Sequence, residues 1–358
     1  MTFELSRRDL IQSLLAGAAL GTVGATRAAR AAETIGWMTW ENLAKDDYLA
    51  EFLKSGVAVD KTFIGTDDEQ FAKLRAGGAS SVDLITPGLD KVEFYVASNL
   101  LQPIDLSKVP NAALLYDTFK STKLGKKDGK TYGIPFYWGI NPIVYRADLM
   151  DAEPDWSVFF EGEKYKGKLA MRDYALEGIM IAAMYLGIPK AEMFDLDDKQ
   201  LAEVKKALMA QKKLLRTYWS SIGDLTNLFA TGEVVCAFSW VPPYYDLSAR
   251  GLKMGMAKPK AGVIGWCDTI AVPAGVSGAK LDATLKLVDY LLGPVYGEKL
   301  AYGGPYAQST SATRAKLPVE QQEKIFIKDL SVMDNFVWKA NPPRYTEWVA
   351  LWNEVKAS

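Results

Sequence analysis

Trp266-Cys267-Asp268 sets an indole two residues ahead of a carboxylate, at the head of the apolar run Thr269-Ile270-Ala271-Val272-Pro273. Side chains alternate along an extended chain, so positions 266 and 268 share a face. An aromatic face beside an anionic oxygen suits an organic ammonium: cation–π attraction is worth roughly 0.5–2 kcal/mol, and a charge-assisted hydrogen bond fixes the N–H direction. The same tripeptide also serves a fold without any ligand, as a core indole and a strand-end acid. Aromatic and acidic residues recur, however, at the ends of other apolar runs. Trp40 follows Thr34–Thr39, Asp90 follows Gly88-Leu89, and Trp240 closes the run from Gly232.

Composition removes several chemistries. There is no histidine, which excludes Ser-His-Asp and Cys-His nucleophile systems and imidazole ligation of zinc or non-haem iron. Cys236 and Cys267 are the only cysteines, too few for a disulfide framework and without the spacing of a metal knuckle. Their apolar neighbours favour buried thiols, although one bridge between them stays open. With 42 Lys and Arg against 43 Asp and Glu, no basic tail offers itself to nucleic acid. No cofactor-binding or metal-binding motif is present in the sequence.

The elements that position these residues alternate. Strands are expected at Thr34–Thr39, 57–63 and 82–87, with helices at 46–54, 67–74 and 91–99; the acids Asp67, Asp68 and Glu69 fill a first helical turn, where the dipole favours them. Strand, helix, strand, helix is the signature of an α/β layer with a mostly parallel sheet, whose ligands sit beyond the carboxyl ends of strands. Gly133–Asn141 and 143–145 form an extended run that crosses between lobes. The strand Leu169–Arg172 precedes a long helix from about Glu177, and a Lys-rich helix spans 198–215. The strand 232–240 runs into a loop at Pro242-Pro243-Tyr244-Tyr245, an amphipathic helix covers 281–292, and Gly303–Tyr306 is a second crossing. At 358 residues the chain exceeds the roughly 250–300 residues that one core usually holds, so two lobes are expected.

The N-terminus reads as an address. Ser6-Arg7-Arg8-Asp9-Leu10-Ile11-Gln12 precedes a mild apolar run from Leu14 to Ala25 and the small-x-small site Ala29-Arg30-Ala31, which is a twin-arginine export signal cleaved just after Ala31. The run is shorter than the about 20 residues a span needs. Loss of residues 1–31 takes four arginines and two acids, so a mildly acidic protein free in the periplasm is expected.

Taken in order, the landmarks resemble the periplasmic polyamine-binding (spermidine/putrescine-binding) family of ABC-transporter solute receptors. They are the Trp40 loop, "YGIPFYWGINPIVYR" at 132–146, "GEVVCAFSW" ending at Trp240, "WCDTIAVPAG" from Trp266, and "KLVDYLLGP" followed by "YGGPYA". The resemblance spans nearly the whole mature chain. It implies an α/β, two-lobed (type II-like) binding protein with hinge crossings and a central cleft, residues 33–140 plus 268–304 in one lobe and 141–266 plus 305–358 in the other. It implies no cofactor, a monomer, a small cationic amine as ligand and an inner-membrane permease as partner.

The family's site carries over unevenly. Trp40, Trp240, Trp266 and Asp268 match its aromatic box and amine-holding acid, and Glu177 matches a further carboxylate. The paired acid falls at Tyr174, the family's early Ser and Tyr fall at Gly88 and Asp90, a second early aromatic falls at Leu43, and a late aromatic falls at Gly304, for which Tyr306 substitutes. Asp90 would then replace the lost acid from the opposite lobe. The implied ligand set is Trp40, Asp90, Tyr174, Glu177, Trp240, Trp266, Asp268 and Tyr306, with ionised carboxylates neutralising the amines near an ordinary pKa of about 4. Asp90 also reads as a plain helix cap and Glu177 as a first-turn acid. Two alternatives remain: a ferric receptor through the phenolates of Tyr244 and Tyr245, and an exported glycosidase using Asp268 and Glu177 as acid and base.

Overall fold

The chain enters on β1 (Thr34–Thr39), crosses through the helix Asp46–Leu53 to β2 (Ala58–Phe63), and through the helix Asp67–Arg75 to β3 (Leu84–Ile85). β1 pairs in parallel with both, as a helical crossover requires. This computed structural model describes residues 33–77 and 82–358; the expected export signal lies outside the described residues. β4 (Leu101–Gln102) and a hairpin of β5 (Lys126–Lys127) and β6 (Lys130–Thr131) lead to β7 (Gly133–Asn141), which Pro142 separates from β8 (Ile143–Arg146). β9 (Leu169–Arg172), β10 (Leu215–Trp219), β11 (Cys236–Phe238) and β12 (Met254–Ala257) follow, then β13 (Val263–Pro273), β14 (Ala307–Gln308) and β15 (Phe336–Trp338).

These strands form two main sheets. The larger runs β14-β7-β13-β3-β1-β2, with β4 and β15 also paired to β13; the smaller runs β10-β9-β11-β8-β12. The chain passes between them at Asn141-Pro142-Ile143, again between Ala257 and Val263, and a third time after Trp338 on its way to the helix Tyr345–Ala357; Gly303–Tyr306, expected as a crossing, instead leads into β14 and stays with the larger sheet. That last helix packs Trp348, Trp352 and Val355 into the core beneath the smaller sheet. There it meets the helix Ala175–Tyr185, which is buried from Ala175 through Met184, as an apolar-all-round helix must be. Gly178 permits the contact: a Cβ there would lie 2.2 Å from the Trp352 ring.

Three local readings change. Pro242-Pro243 opens the helix Pro242–Ala249 rather than a loop, because a first helical turn needs no N–H from its leading residue. The Lys-rich helix stops at Lys212, and the β-branched and aromatic Thr217-Tyr218-Trp219 continue as β10. The strand expected from Gly232 shortens to β11, because Gly232, at φ 77°, is the left-handed cap of an unforeseen helix Ile222–Thr231. Cys236 and Cys267 are free buried thiols on different sheets.

Candidate functional site

β13 and β7 pair antiparallel from Ile264↔Asn141 to Ala271↔Gly133, with one irregularity between Asp268 and Thr269, opposite Tyr137 and Pro135. Proline offers no N–H to a ladder, so strands that carry it tend to bulge there, and a bulge re-aims the neighbouring side chains. Asp268 is fixed at this bulge from both sides: its backbone bridges to Gly88, and the Tyr137 hydroxyl donates to its Oδ2 at 2.8 Å. Trp266 lies on the same face, its ring 5.2 Å from that of Tyr137. Tyr306 closes the triangle at 5.4 Å from Trp266 and 5.9 Å from Tyr137. Cys267, between them, packs on the opposite face with Trp138 and Trp338. Gly139 faces Trp266 because nothing larger fits: a Cβ there would sit 2.7 Å from the indole.

The electrostatics follow from burial. Desolvation, then repulsion from Asp67, push the Asp268 carboxyl up to about 7, against the opposing pull of Lys339 and of the Tyr137 hydrogen bond. Asp67, which accepts the Gly88 N–H at 3.0 Å, is itself raised by desolvation and by Asp90. The Tyr137 hydroxyl is held well above its ordinary value by burial and by Asp268, and burial pushes Tyr306 up to about 12. Both therefore remain neutral phenols near pH 7, and Asp268 titrates there instead of near pH 4.

A second group forms where β9 ends. The Arg172 guanidinium stacks 4.9 Å from the Tyr174 ring and 4.6 Å from the Trp240 ring, and the Trp219 edge supports Trp240 at 5.4 Å. Arg172 Nη1 donates to Glu177 Oε2 at 2.9 Å, and Asn141 Nδ2 donates to Oε1 at 2.7 Å. Lys339 Nζ lies 3.9 Å from that same Oε1. Glu177 is fully buried, so both its oxygens face donors of the chain itself, as a buried carboxylate requires.

Asp90 and Lys339 stand between the two groups. Asp90 is buried, with Lys91 Nζ at 3.4 Å from its Oδ2 but no hydrogen bond to that oxygen. Lys91 is itself committed, donating to Asn341 Oδ1 at 2.9 Å and lying 4.7 Å from the Tyr345 ring. Burial pulls the Lys339 ammonium down, but Asp90, Glu177 and Asp67 together outweigh it and the net shift is upward. A cavity of about 200 Å³ opens beside this pair, lined also by Leu89, Phe119, Cys267 and Trp338.

The structure thus places Trp266, Asp268 and Tyr306 in one cluster and Tyr174, Glu177 and Trp240 in another, with Asp90 between them. Trp40 is half-buried after β1, packed against the apolar layers on both sides of it, and its Nε1 is buried without a partner. Tyr244 and Tyr245 lie on a helix, where Tyr245 donates to the Lys324 carbonyl at 2.9 Å and burial lifts it to about 12. Five further residues enter: Asp67, Tyr137, Asn141, Arg172 and Lys339. Arg172 and Tyr137 lay in expected strands and Asp67 at an expected helix start, positions that local pattern explains fully, while Lys339 carries no sequence signal at all.

Residues 44–326 match the model of a family described as bacterial extracellular solute-binding protein. The spermidine/putrescine-binding periplasmic protein of Escherichia coli K12 is 25% identical over 331 residues, covering 91% of this chain and 92% of that one. A putrescine/cadaverine-binding protein of Pseudomonas aeruginosa is 25% identical over 299 residues, 79% of each chain. Among solved structures, a spermidine/putrescine ABC transporter substrate-binding protein from Streptococcus pneumoniae superposes with a TM-score of 0.77 at 18% identity, covering 91% of this chain and 98% of that one. The two sheets are therefore those of a two-lobed periplasmic binding-protein fold, and the relatives are transport receptors rather than enzymes. Among the described residues no helix is long and apolar enough to cross a membrane.

Proposed function

The chain belongs to the bacterial extracellular solute-binding proteins, and on that premise we propose that it captures a small organic amine in the periplasm and delivers it to an ABC permease. Polyamines such as putrescine and spermidine, named for the relatives, define the ligand's chemistry at one end: a primary ammonium. The observation that carries the reading is the Asp268 carboxylate, oriented at 2.8 Å by the hydroxyl of Tyr137, whose ring packs against those of Trp266 and Tyr306. An ammonium docked there gains a charge-assisted hydrogen bond and aromatic faces in a site shielded from water, where both count for more than in solution.

In this reading each sheet is the core of one lobe, the three inter-sheet connections act as the hinge, and closure brings the Asp268 cluster toward the Trp240 and Tyr174 cluster. Trp40 and Asp90 line the side of the larger sheet. Glu177 has a different task from the one its position first implied, since it anchors Arg172 and Asn141 and leaves no oxygen for a ligand. The protein works as a monomer and is exported by the twin-arginine route. The ferric reading is disfavoured, because Tyr245 commits its hydroxyl to the Lys324 carbonyl and no group of three or more acidic or cysteine side chains that could hold a metal occurs among the described residues. The hydrolase reading loses its second carboxylate to Arg172 and Asn141.

Calorimetry with putrescine, spermidine, 4-aminobutyrate, a quaternary amine and Fe³⁺ tests the proposal. At least one primary amine should bind stoichiometrically and be recovered unchanged, and Asp268→Asn should weaken it by tenfold or more, about 1.4 kcal/mol. Heat from Fe³⁺ alone, or an Asp268→Asn protein with unaltered affinity, would defeat it.

A further inference from the structure

The amine reading fixes one end of the ligand; the charges around the cleft bear on the other. Four acids, Asp67, Asp90, Glu177 and Asp268, share the region with three cations, Lys91, Arg172 and Lys339. Glu177 is neutralised by Arg172 at 2.9 Å, and Asp90 has Lys91 at 3.4 Å. Lys339 is a primary ammonium supplied by the chain itself, held among Asp90, Glu177 and Asp67. One place that a diamine's second nitrogen would occupy is therefore already filled, and a dication would have to enter against Lys339 and Arg172.

Arg172 offers the opposite chemistry. Of its donors only Nη1 is used, on Glu177; Nε and Nη2 make no hydrogen bond among the described residues. The side chain keeps a quarter of its surface exposed and is held flat by Tyr174 and Trp240. A rigid guanidinium with an unused edge matches the two oxygens of a carboxylate. It also stands on the smaller sheet, whereas Asp268 stands on the larger, so a ligand held by both would bridge the two sides.

Resting on the amine reading above, we propose that the ligand is a zwitterion of the ω-amino-acid type, its ammonium on Asp268 beside the paired Trp266 and Tyr306 rings and its carboxylate on the free edge of Arg172. Glu177 and Asn141 then serve as positioning residues that hold Arg172 in place. Lys339 sets the polarity of the cleft, excluding a second ammonium and drawing the carboxylate end inward.

The test is calorimetry on the full chain with 4-aminobutyrate, 5-aminopentanoate, putrescine, cadaverine and butyrate. One of the amino acids should bind at least tenfold more tightly than the diamine of matching length. Arg172→Gln should lower amino-acid affinity at least tenfold and raise that for the diamine, and Lys339→Met should shift the preference the same way. Arg172→Lys, which keeps the charge and loses the planar edge, should fall between, with thermal melting establishing that each variant is folded. Diamines preferred by the wild type, with Arg172→Gln leaving that order unchanged, would overturn this inference and leave the amine reading standing. Butyrate bound as tightly as the amino acids would overturn the amine reading, and silence from every amine would overturn both.

Discussion

Ammonium capture by this protein should weaken steeply on mild acidification. In the free protein the Asp268 carboxyl is pushed up to about 7, by burial and then by the nearby Asp67 and Asp90, with Lys339 and the Tyr137 hydroxyl opposing. An ammonium favours the anion, so the complex has the lower pKa; binding releases a proton near pH 7, and affinity rises with pH through that value before levelling off. If only the ionised form binds, about half of the protein is competent at pH 7 and about 1% at pH 5, a loss of about fiftyfold. An aspartate with an ordinary pKa near 3.9 would change by less than about 10% over the same interval, and the ligand's amine, near 10.4, does not titrate there. Titration calorimetry at pH 5, 6, 7 and 8, in two buffers of different ionisation enthalpy, reads both the affinity and the proton count. Asp268→Asn should bind weakly at every pH, its deficit against wild type shrinking as the latter protonates. Affinity that is flat from pH 5 to 8, or that rises as pH falls, would refute the assignment of the ammonium to Asp268.

The same shift has a consequence for folding. Because the folded value of about 7 lies above the unfolded value near 3.9, the contribution of Asp268 to stability is fully present below about pH 4 and is lost as pH rises to 7; unliganded Asp268→Asn should therefore melt above wild type at pH 8, with the gap closing toward pH 4, as calorimetric scans can show. Gly139→Ala would drive a Cβ to 2.7 Å from the Trp266 indole, and the expected result is a loss of about 1–3 kcal/mol in denaturant stability together with weaker ligand binding. Cys236 and Cys267 are buried and raised by desolvation, so a thiol reagent should label neither in the native protein and both in denaturant.

What the chain announces by itself is local. Alternation in Trp266-Cys267-Asp268 puts the indole and the carboxylate on one face once the segment is a strand, and both do meet Tyr137 while Cys267 turns away. Strand and helix periodicity likewise mark β1, β7 and β9 at the residues where they occur, and the absence of histidine rules out whole mechanisms without any coordinates. Tertiary structure decided the rest, because pairing across sheets follows from register and packing rather than from spacing along the chain. Glu177 reads as an available acid until Arg172 and Asn141 are seen on its two oxygens. Asp268 reads as an ordinary carboxylate until its burial lifts it to about 7. Lys339 is one lysine among many in the sequence; only the third passage of the chain between the sheets, just after β15, sets its ammonium among the acids of the cleft.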